Sequence, residues 1–399
     1  MVTAAVYIII LVWVATVALP VAIFLLESVA AIALPKRTFP PPSRNTRDRI
    51  GILIPAHDEE QMLPETIAKI QPQLRCGDRL LVVADNCSDR TAAVAKDLGA
   101  DVVERTNAIN KGKGFALDWG IRQFANDPPK IVVVVDADCK LGDFAIDHLA
   151  ALCSATNRPA QACYSMVAPP DSGPGTRIRE FAWRVKNWIR PLGLSSAGLP
   201  CQLMGTGMAF PWEIIASAKL ATGALVEDLE LGLELAADGH PPIFCPAATV
   251  TSEFPATREG SRSQQLRWEQ GHLGVIAAQI PWFFADSVRR GDKSLLVLAL
   301  DAAVPPLSLL WMAVLLCLGV GVGSWRMGMG STALLISVGN LVGFTCAATA
   351  SWIMAGRDLL RFETVLMLGV SALRKLPLYY RILIKRASYT WIRTDRRKL

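Results

Sequence analysis

Histidine and paired cysteine are what this chain of 399 residues conspicuously lacks. Its four histidines, His57, His148, His240 and His272, stand far apart with no metal-ligand spacing. Its nine cysteines include no Cys-x-x-Cys pair and fall at irregular intervals. Neither a zinc site nor a disulfide framework is indicated, and the cysteines read as small buried apolar residues in a reducing compartment. Charge is absent from residues 3–26, 302–324 and 331–356. Each run is long enough to cross a bilayer. The first is too long for a signal-peptide core, with no positive n-region before it and no clear small-residue cleavage site after it. Pro305 and Pro306 should break or kink the start of the second run.

What is present fits a soluble domain joined to membrane spans. The chain is 52% hydrophobic with a positive mean hydropathy, greasier than an ordinary soluble enzyme. It is also 19% charged, too much for a protein lying wholly in lipid. The net charge of +6 does not point to nucleic acid, because the basic residues bunch beside apolar stretches, where anionic headgroups are met. Lys36, Arg37, Arg44, Arg47 and Arg49 form a basic collar around a proline run, Pro40 to Pro42. Basic residues stay on the cytoplasmic side, so the N-terminus is expected outside, with the catalytic domain and the basic C-terminal tail in the cytoplasm. The expected layout is a span in 1–35, a linker in 36–49 and a cytosolic domain in 50–256. Helices in 257–293, two spans in 294–356, and an interfacial helix with a basic tail in 357–399 complete it. Gly319 and Gly323, at helix-contact spacing, read as packing between spans.

Within 50–256, short apolar runs alternate with helical ones. Ile50 to Pro55, Leu80 to Ala84 and Ile131 to Val135 read as strands, and 60–71, 90–98 and 114–126 as helices. This pattern predicts an α/β domain around a mainly parallel sheet. Arg177 to Arg190 places Ile178, Phe181, Val185 and Ile189 on one helical face, which either packs on the domain or lies at the lipid surface.

Six polar stretches stand out after strands, in loops or on helices. Ile131–Val135 is a strand buried on both faces, and it ends on Asp136-Ala137-Asp138, where open α/β sheets bind ligands. Asp-x-Asp there suits Mg²⁺ or Mn²⁺ completed by substrate phosphates, or else two aspartates that cap the next helix. His57-Asp58-Glu59-Glu60 follows the first strand, and Asp85-Asn86-Cys87-Ser88-Asp89 the second. Asn110-Lys111-Gly112-Lys113-Gly114 is a glycine-softened loop with two ammonium groups. Each taken alone reads as a cap, turn or solvated loop; together they read as a nucleotide pocket. Glu227-Asp228 opens a helix, where acids favour its positive end. Gln264-Gln265-Leu266-Arg267-Trp268 is a polar-aromatic cluster just before the membrane region.

In order, Asp85, Asp136-Ala137-Asp138, Glu227-Asp228 and Gln264-x-x-Arg267-Trp268 resemble the membrane-bound family-2 glycosyltransferases. These include cellulose, hyaluronan, chitin-oligosaccharide and poly-N-acetylglucosamine synthases and ceramide glucosyltransferase. The resemblance spans roughly residues 50–275 and the layout of spans around them. It implies a GT-A-type fold and an inverting, metal-dependent hexosyl or N-acetylhexosaminyl transfer from a UDP-sugar to a saccharide acceptor. The product would be a β-linked cell-surface polysaccharide or exopolysaccharide; the alternative is one sugar added to a lipid such as ceramide, diacylglycerol or a polyprenyl-linked saccharide. It implies that Asp85, with Glu59 and Lys113, meets the base, and that Asp138 with Asp136 holds Mg²⁺ or Mn²⁺. Asp228, beside Glu227, would be the general base. Gln264 and Trp268 would line the acceptor site with Arg267 near the diphosphate, and Met204-Gly205-Thr206-Gly207 would form a loop below the acceptor. Asp58 stands where the family often has Asn, and Val226 where Thr often precedes the acids. The resemblance further implies a bacterial inner-membrane location. Because three spans are thin material for a polymer channel, it implies homo-oligomers or other polysaccharide-assembly proteins as partners.

Overall fold

The computed structural model describes residues 2–39, 47–255, 257–361, 375, 376 and 379. The chain begins with helix α1 (Val2–Ala33), which carries apolar residues on every face and a single charge, Glu27, and Ala4–Ala33 is long enough to span. The sheet domain follows. Its elements are β1 (Ile50–Ala56), α2 (Leu63–Ile70), β2 (Arg79–Asp85), α3 (Thr91–Asp97), β3 (Asp101–Arg105), α4 (Lys113–Phe124), β4 (Ile131–Val134), β5 (Lys140–Leu141), α5 (Ala145–Thr156) and β6 (Ala160–Val167). Helix α6 (Pro174–Arg184) then runs through a π-helical turn, Val185–Ile189, into α7 (Arg190–Ser196). Next come β7 (Met208–Pro211), α8 (Trp212–Ser217), α9 (Glu227–Ala237) and β8 (Ile243–Glu253). Among the described residues that follow, the elements are helices: α10 (Arg258–Ala278), α11 (Ile280–Arg290), α12 (Lys293–Ala302), α13 (Leu307–Arg326) and α14 (Thr332–Ala355).

The eight strands lie in the order β3-β2-β1-β4-β7-β6-β8-β5. The first four are mutually parallel; β7 is antiparallel to both β4 and β6, β6 and β8 are parallel, and β5 closes the edge antiparallel. The two strands and three helices expected between 50 and 126, and the strand expected at 131–135, are present within a residue or two, apart from a helix that starts at Leu63 instead of near 60. The antiparallel return through β7 was not legible, because four residues of Met-Ala-Phe-Pro carry no period. Alternation along β1 sends Ile50, Ile52 and Ile54 to the face covered by α2 and α5, and Leu53 to the face covered by α4. Burial on both faces explains why β1 and β4 are unbroken apolar runs.

The three long apolar helices pack on one another through Val14, Val17, Phe24, Val314, Cys317 and Ala347. Polar side chains stitch them: Ser337 Oγ donates to the Cys317 carbonyl at 2.9 Å and Asn340 Nδ2 to the Val14 carbonyl at 3.2 Å. The second long helix starts later than its uncharged run. Pro305 and Pro306 break the chain, leaving α12 as a separate helix packed on α9 through Leu295, Leu298 and Leu233. The amphipathic stretch 177–190 packs on the sheet domain and on the spans, with Phe181 and Val185 buried against the latter. Helix α7 meets α1 so closely that a Cβ at Gly193 would collide with the Glu27 carbonyl. The expected interfacial helix and basic tail fall, beyond 361, almost wholly outside the described residues.

Candidate active site

A cleft of about 830 Å³ opens at the carboxyl ends of β1, β2 and β4 and extends toward α7, α10 and α12. Asp85, at the end of β2, is nearly buried, and its Oδ1 accepts from Arg105 Nη1 at 2.5 Å and from Asn86 Nδ2 at 3.0 Å. Arg105 also donates to the Asn110 carbonyl at 2.7 Å, which ties the lysine loop to this wall. Asp58 has a left-handed φ of 52°, which Asn and Asp tolerate better than most residues, and its Oδ1 accepts the Ser88 N–H at 2.6 Å. The acid is therefore a turn-former joining the first two strand ends. Glu59 lines the cleft beside it.

Asp136 and Asp138 follow β4 and line the floor. Ligand atoms of Asp136, Asp138 and Cys139 all lie within 4.8 Å of one another. Burial first of all, and Asp136 nearby, push the Cys139 thiol up to about 12, so it stays protonated and the two carboxylates are the hard donors. Lys113 is placed at this end of the cleft, by the acids. Its Nζ is 2.5 Å from Asp136 Oδ1, 3.8 Å from a Glu227 carboxylate oxygen, and donates to the Gly205 carbonyl at 2.6 Å. Despite burial, these acids raise its pKa above the ordinary lysine range.

Glu227 and Asp228 open α9. Burial and the adjacent Asp228 outweigh the Lys113 attraction and push the Glu227 carboxyl up to about 7. Burial likewise raises Asp228, against the pull of Lys113 and Lys186. Gly205 has φ 88°, and a Cβ there would stand 3.3 Å from Asp228 Oδ2, so this position favours glycine both for its backbone and for the carboxylate above it. Thr206 is fully buried behind the floor, where its Oγ1 accepts the Asp136 N–H at 3.0 Å.

Helix α10 supplies the opposite wall. Arg267 and Trp268 line the cleft. The Trp268 ring lies 4.9 Å from Trp183 at 37°, so one face is already covered. Arg267 Nε and Gln264 Nε2 are buried without a hydrogen-bond partner. Gln264 is buried beneath the lining and not part of it. The cleft thus brings together Glu59, Asp85, Lys113, Asp136, Asp138, Gly205, Glu227, Asp228, Arg267 and Trp268, and leaves out Thr206 and Gln264.

Residues 47–271 match the family model described as glycosyltransferase like family 2. The chain belongs to that family. A probable glycosyltransferase of Bacillus subtilis, YdaM, is 27% identical over 249 residues, 59% of this chain and 58% of that protein. The 4,4'-diaponeurosporenoate glycosyltransferase of Staphylococcus haemolyticus is 31% identical over 105 residues, 25% of this chain and 26% of that one. The chain thus matches less than two thirds of the length of these curated relatives. A mannosyltransferase of Pyrobaculum calidifontis, solved with GDP-mannose and Mn²⁺, superposes with TM-score 0.57 at 16% identity, covering 95% of this chain and 99% of that one. The fold is shared along nearly the whole of both chains.

Sequence reading of this family-2 glycosyltransferase missed the far end of the cleft. Lys186, on the π-helical turn, projects into it, and the protein around the ammonium holds its pKa below the ordinary lysine value. Arg190 and Asp301 form a buried ion pair there, and Arg190 Nε also donates to Glu27 Oε2 of α1 at 2.5 Å. His272 Nε2 lies 2.9 Å from the Ala302 carbonyl, and burial holds its pKa down to about 3, so it is neutral. Periodicity hinted at α6 and α7 but could not say that their polar residues turn inward.

Proposed function

We propose that this chain transfers a sugar from a UDP-sugar to a saccharide acceptor with inversion, as a step in cell-surface polysaccharide or exopolysaccharide synthesis. The observation that carries this reading is the meeting, around Lys113, of the strand-end acids Asp136 and Asp138 with the helix-opening acids Glu227 and Asp228. Asp85 and Glu59 suit the base end of the donor, since a carboxylate accepts an imide N–H. Asp138 and Asp136 fit a hard divalent cation, Mg²⁺ or Mn²⁺: few protein oxygens, open to the cleft, beside a thiol that stays neutral. Bound there, the cation supplies positive charge against the diphosphate leaving group.

Asp228 is the base of this account. Burial raises its pKa, which makes its carboxylate a better proton acceptor than an ordinary aspartate. The acceptor hydroxyl oxygen bonds to the anomeric carbon, its proton passes to Asp228, and the electron pair of the broken C–O bond leaves with the diphosphate. One displacement inverts the centre, so an α-linked donor gives a β-glycoside, with no second carboxylate needed as a nucleophile. Arg267 faces the leaving group and Trp268 offers its uncovered face to a sugar ring. Helices α1, α13 and α14 hold the domain at the cytoplasmic face of the membrane.

A lipid acceptor is the second reading. It is favoured by the far end of the cleft, where Arg190 and Asp301 connect directly to Glu27 of the first span. Purified chain with Mn²⁺ and a panel of UDP-sugars plus GDP-mannose should release nucleoside diphosphate, and chelator should abolish it. Absence of turnover with every donor contradicts the proposal. Product sizing separates the acceptors: a ladder supports a polymer, a single new glycolipid the second reading.

A further inference from the structure

A second cavity, about 470 Å³, lies apart from the cleft. Ser172, Pro174 and Arg177, at the start of α6, form one side, and Arg357–Arg361, the turn after α14, form the other. Arg177, Arg357 and Arg361 are exposed around it. The one acid of the lining, Asp358, is committed to Arg184 at 2.7 Å. Among the described residues no acid pairs with the three remaining guanidiniums.

The turn is held firmly. Trp352 Nε1 donates to the Leu360 carbonyl at 3.0 Å, the Arg357 guanidinium sits 5.8 Å from the Trp352 ring, and Arg184 donates to the Ala355 carbonyl at 3.2 Å. A Cβ on Gly356 would lie 2.6 Å from Trp352 and 2.9 Å from Phe181, so α6 and α14 meet here in close contact. The arginines thus stand at the end of a membrane-length helix, on the side of the sheet domain, with a tryptophan at the level where such rings favour the water–lipid boundary.

We propose that this cavity binds the phosphate of an anionic phospholipid headgroup. Planar guanidiniums match phosphate with paired N–H donors, and the start of α6 adds the positive end of a helix. The depth selects a lipid over a dissolved anion, because the cavity lies where headgroups lie. The inference rests on α13 and α14 being membrane spans and does not depend on glycosyl transfer.

Full-length chain in phosphatidylcholine nanodiscs, with and without phosphatidylglycerol, tests it by native mass spectrometry of the lipid retained on release. The wild-type chain should retain phosphatidylglycerol in preference to phosphatidylcholine, and excess inorganic phosphate should not displace it. The triple variant R177A/R357A/R361A should retain it roughly 100-fold more weakly. Arg361→Ala alone, an exposed change that leaves the fold intact, should weaken it about fivefold. Arg326→Ala, at the opposite end of the spans, should change nothing. Equal retention in wild type and triple variant overturns the proposal, and so does displacement by inorganic phosphate, which would assign the site to a soluble anion.

Discussion

The two walls of the cleft are built in different ways. On the strand side, each acid follows directly from the strand that carries it: Asp85 ends β2, and Asp136 and Asp138 follow β4. On the helix side, Lys186, Arg190, His272 and Asp301 come from three separate helical segments and meet only after those segments pack on α1 and α9. The strand side is a platform whose acids are locally encoded. The helix side is an assembled surface whose charges are set by their neighbours, as the buried Glu27–Arg190–Asp301 cluster shows. The lesson is that the acids of one wall can be read from a local stretch of sequence, whereas the charges of the other are brought together only by packing.

The comparison can be sharpened by breaking one wall at a time. Asp138→Asn, on the strand side, should lower turnover about 10²–10³-fold and weaken its dependence on Mn²⁺, read from initial rates across a metal titration. Unchanged metal dependence would remove Asp138 from that role. On the helix side, Arg190→Met leaves two buried carboxylates without their cation and should cost about 3–5 kcal/mol of stability, measured by denaturant unfolding. A smaller loss would mean that the cluster is hydrated. Lys186→Met should act through Asp228: without the nearby ammonium, the Asp228 pKa rises further, and the acidic limb of the kcat profile should move to higher pH. An unmoved limb would separate the walls electrostatically.

The smallest effect concerns Glu227. Its folded pKa of about 7 lies above the ordinary 4.5, so between those values the folded chain keeps a proton that the unfolded chain has released. Its contribution to stability is therefore fully present below about 4.5 and is lost as pH rises toward 7. Glu227→Gln should flatten the dependence of Tm on pH across that window. A slope as steep as in the wild type would place the titration elsewhere.

How much of this was legible in the sequence follows the same division. Ile50–Pro55 and Ile131–Val135 announced buried parallel strands, and the acids after them announced a site, because strand, turn and ligand end are contiguous. The apolar runs gave the three long helices, and the proline pair gave the break before α13. The antiparallel β7 was hidden by its brevity. Lys113 was read with the base pocket, whereas the fold brings its ammonium to Asp136 and Glu227. Thr206 and Gln264 share motifs with lining residues yet point into the core, since adjacent positions on a turn or helix face different ways. Lys186 and Asp301 carried no signal, because a lone charge in an amphipathic segment looks the same whether it faces water or a cleft.

The claim that everything else depends on is that the two walls act on one reacting centre, with Asp228 taking the acceptor proton. Donor affinity and turnover measured together on Asp228→Asn test it most directly. The account predicts donor binding within about twofold of wild type and turnover reduced about 10³-fold or more. Near-normal turnover in that variant, or loss of donor binding in step with activity, would contradict it.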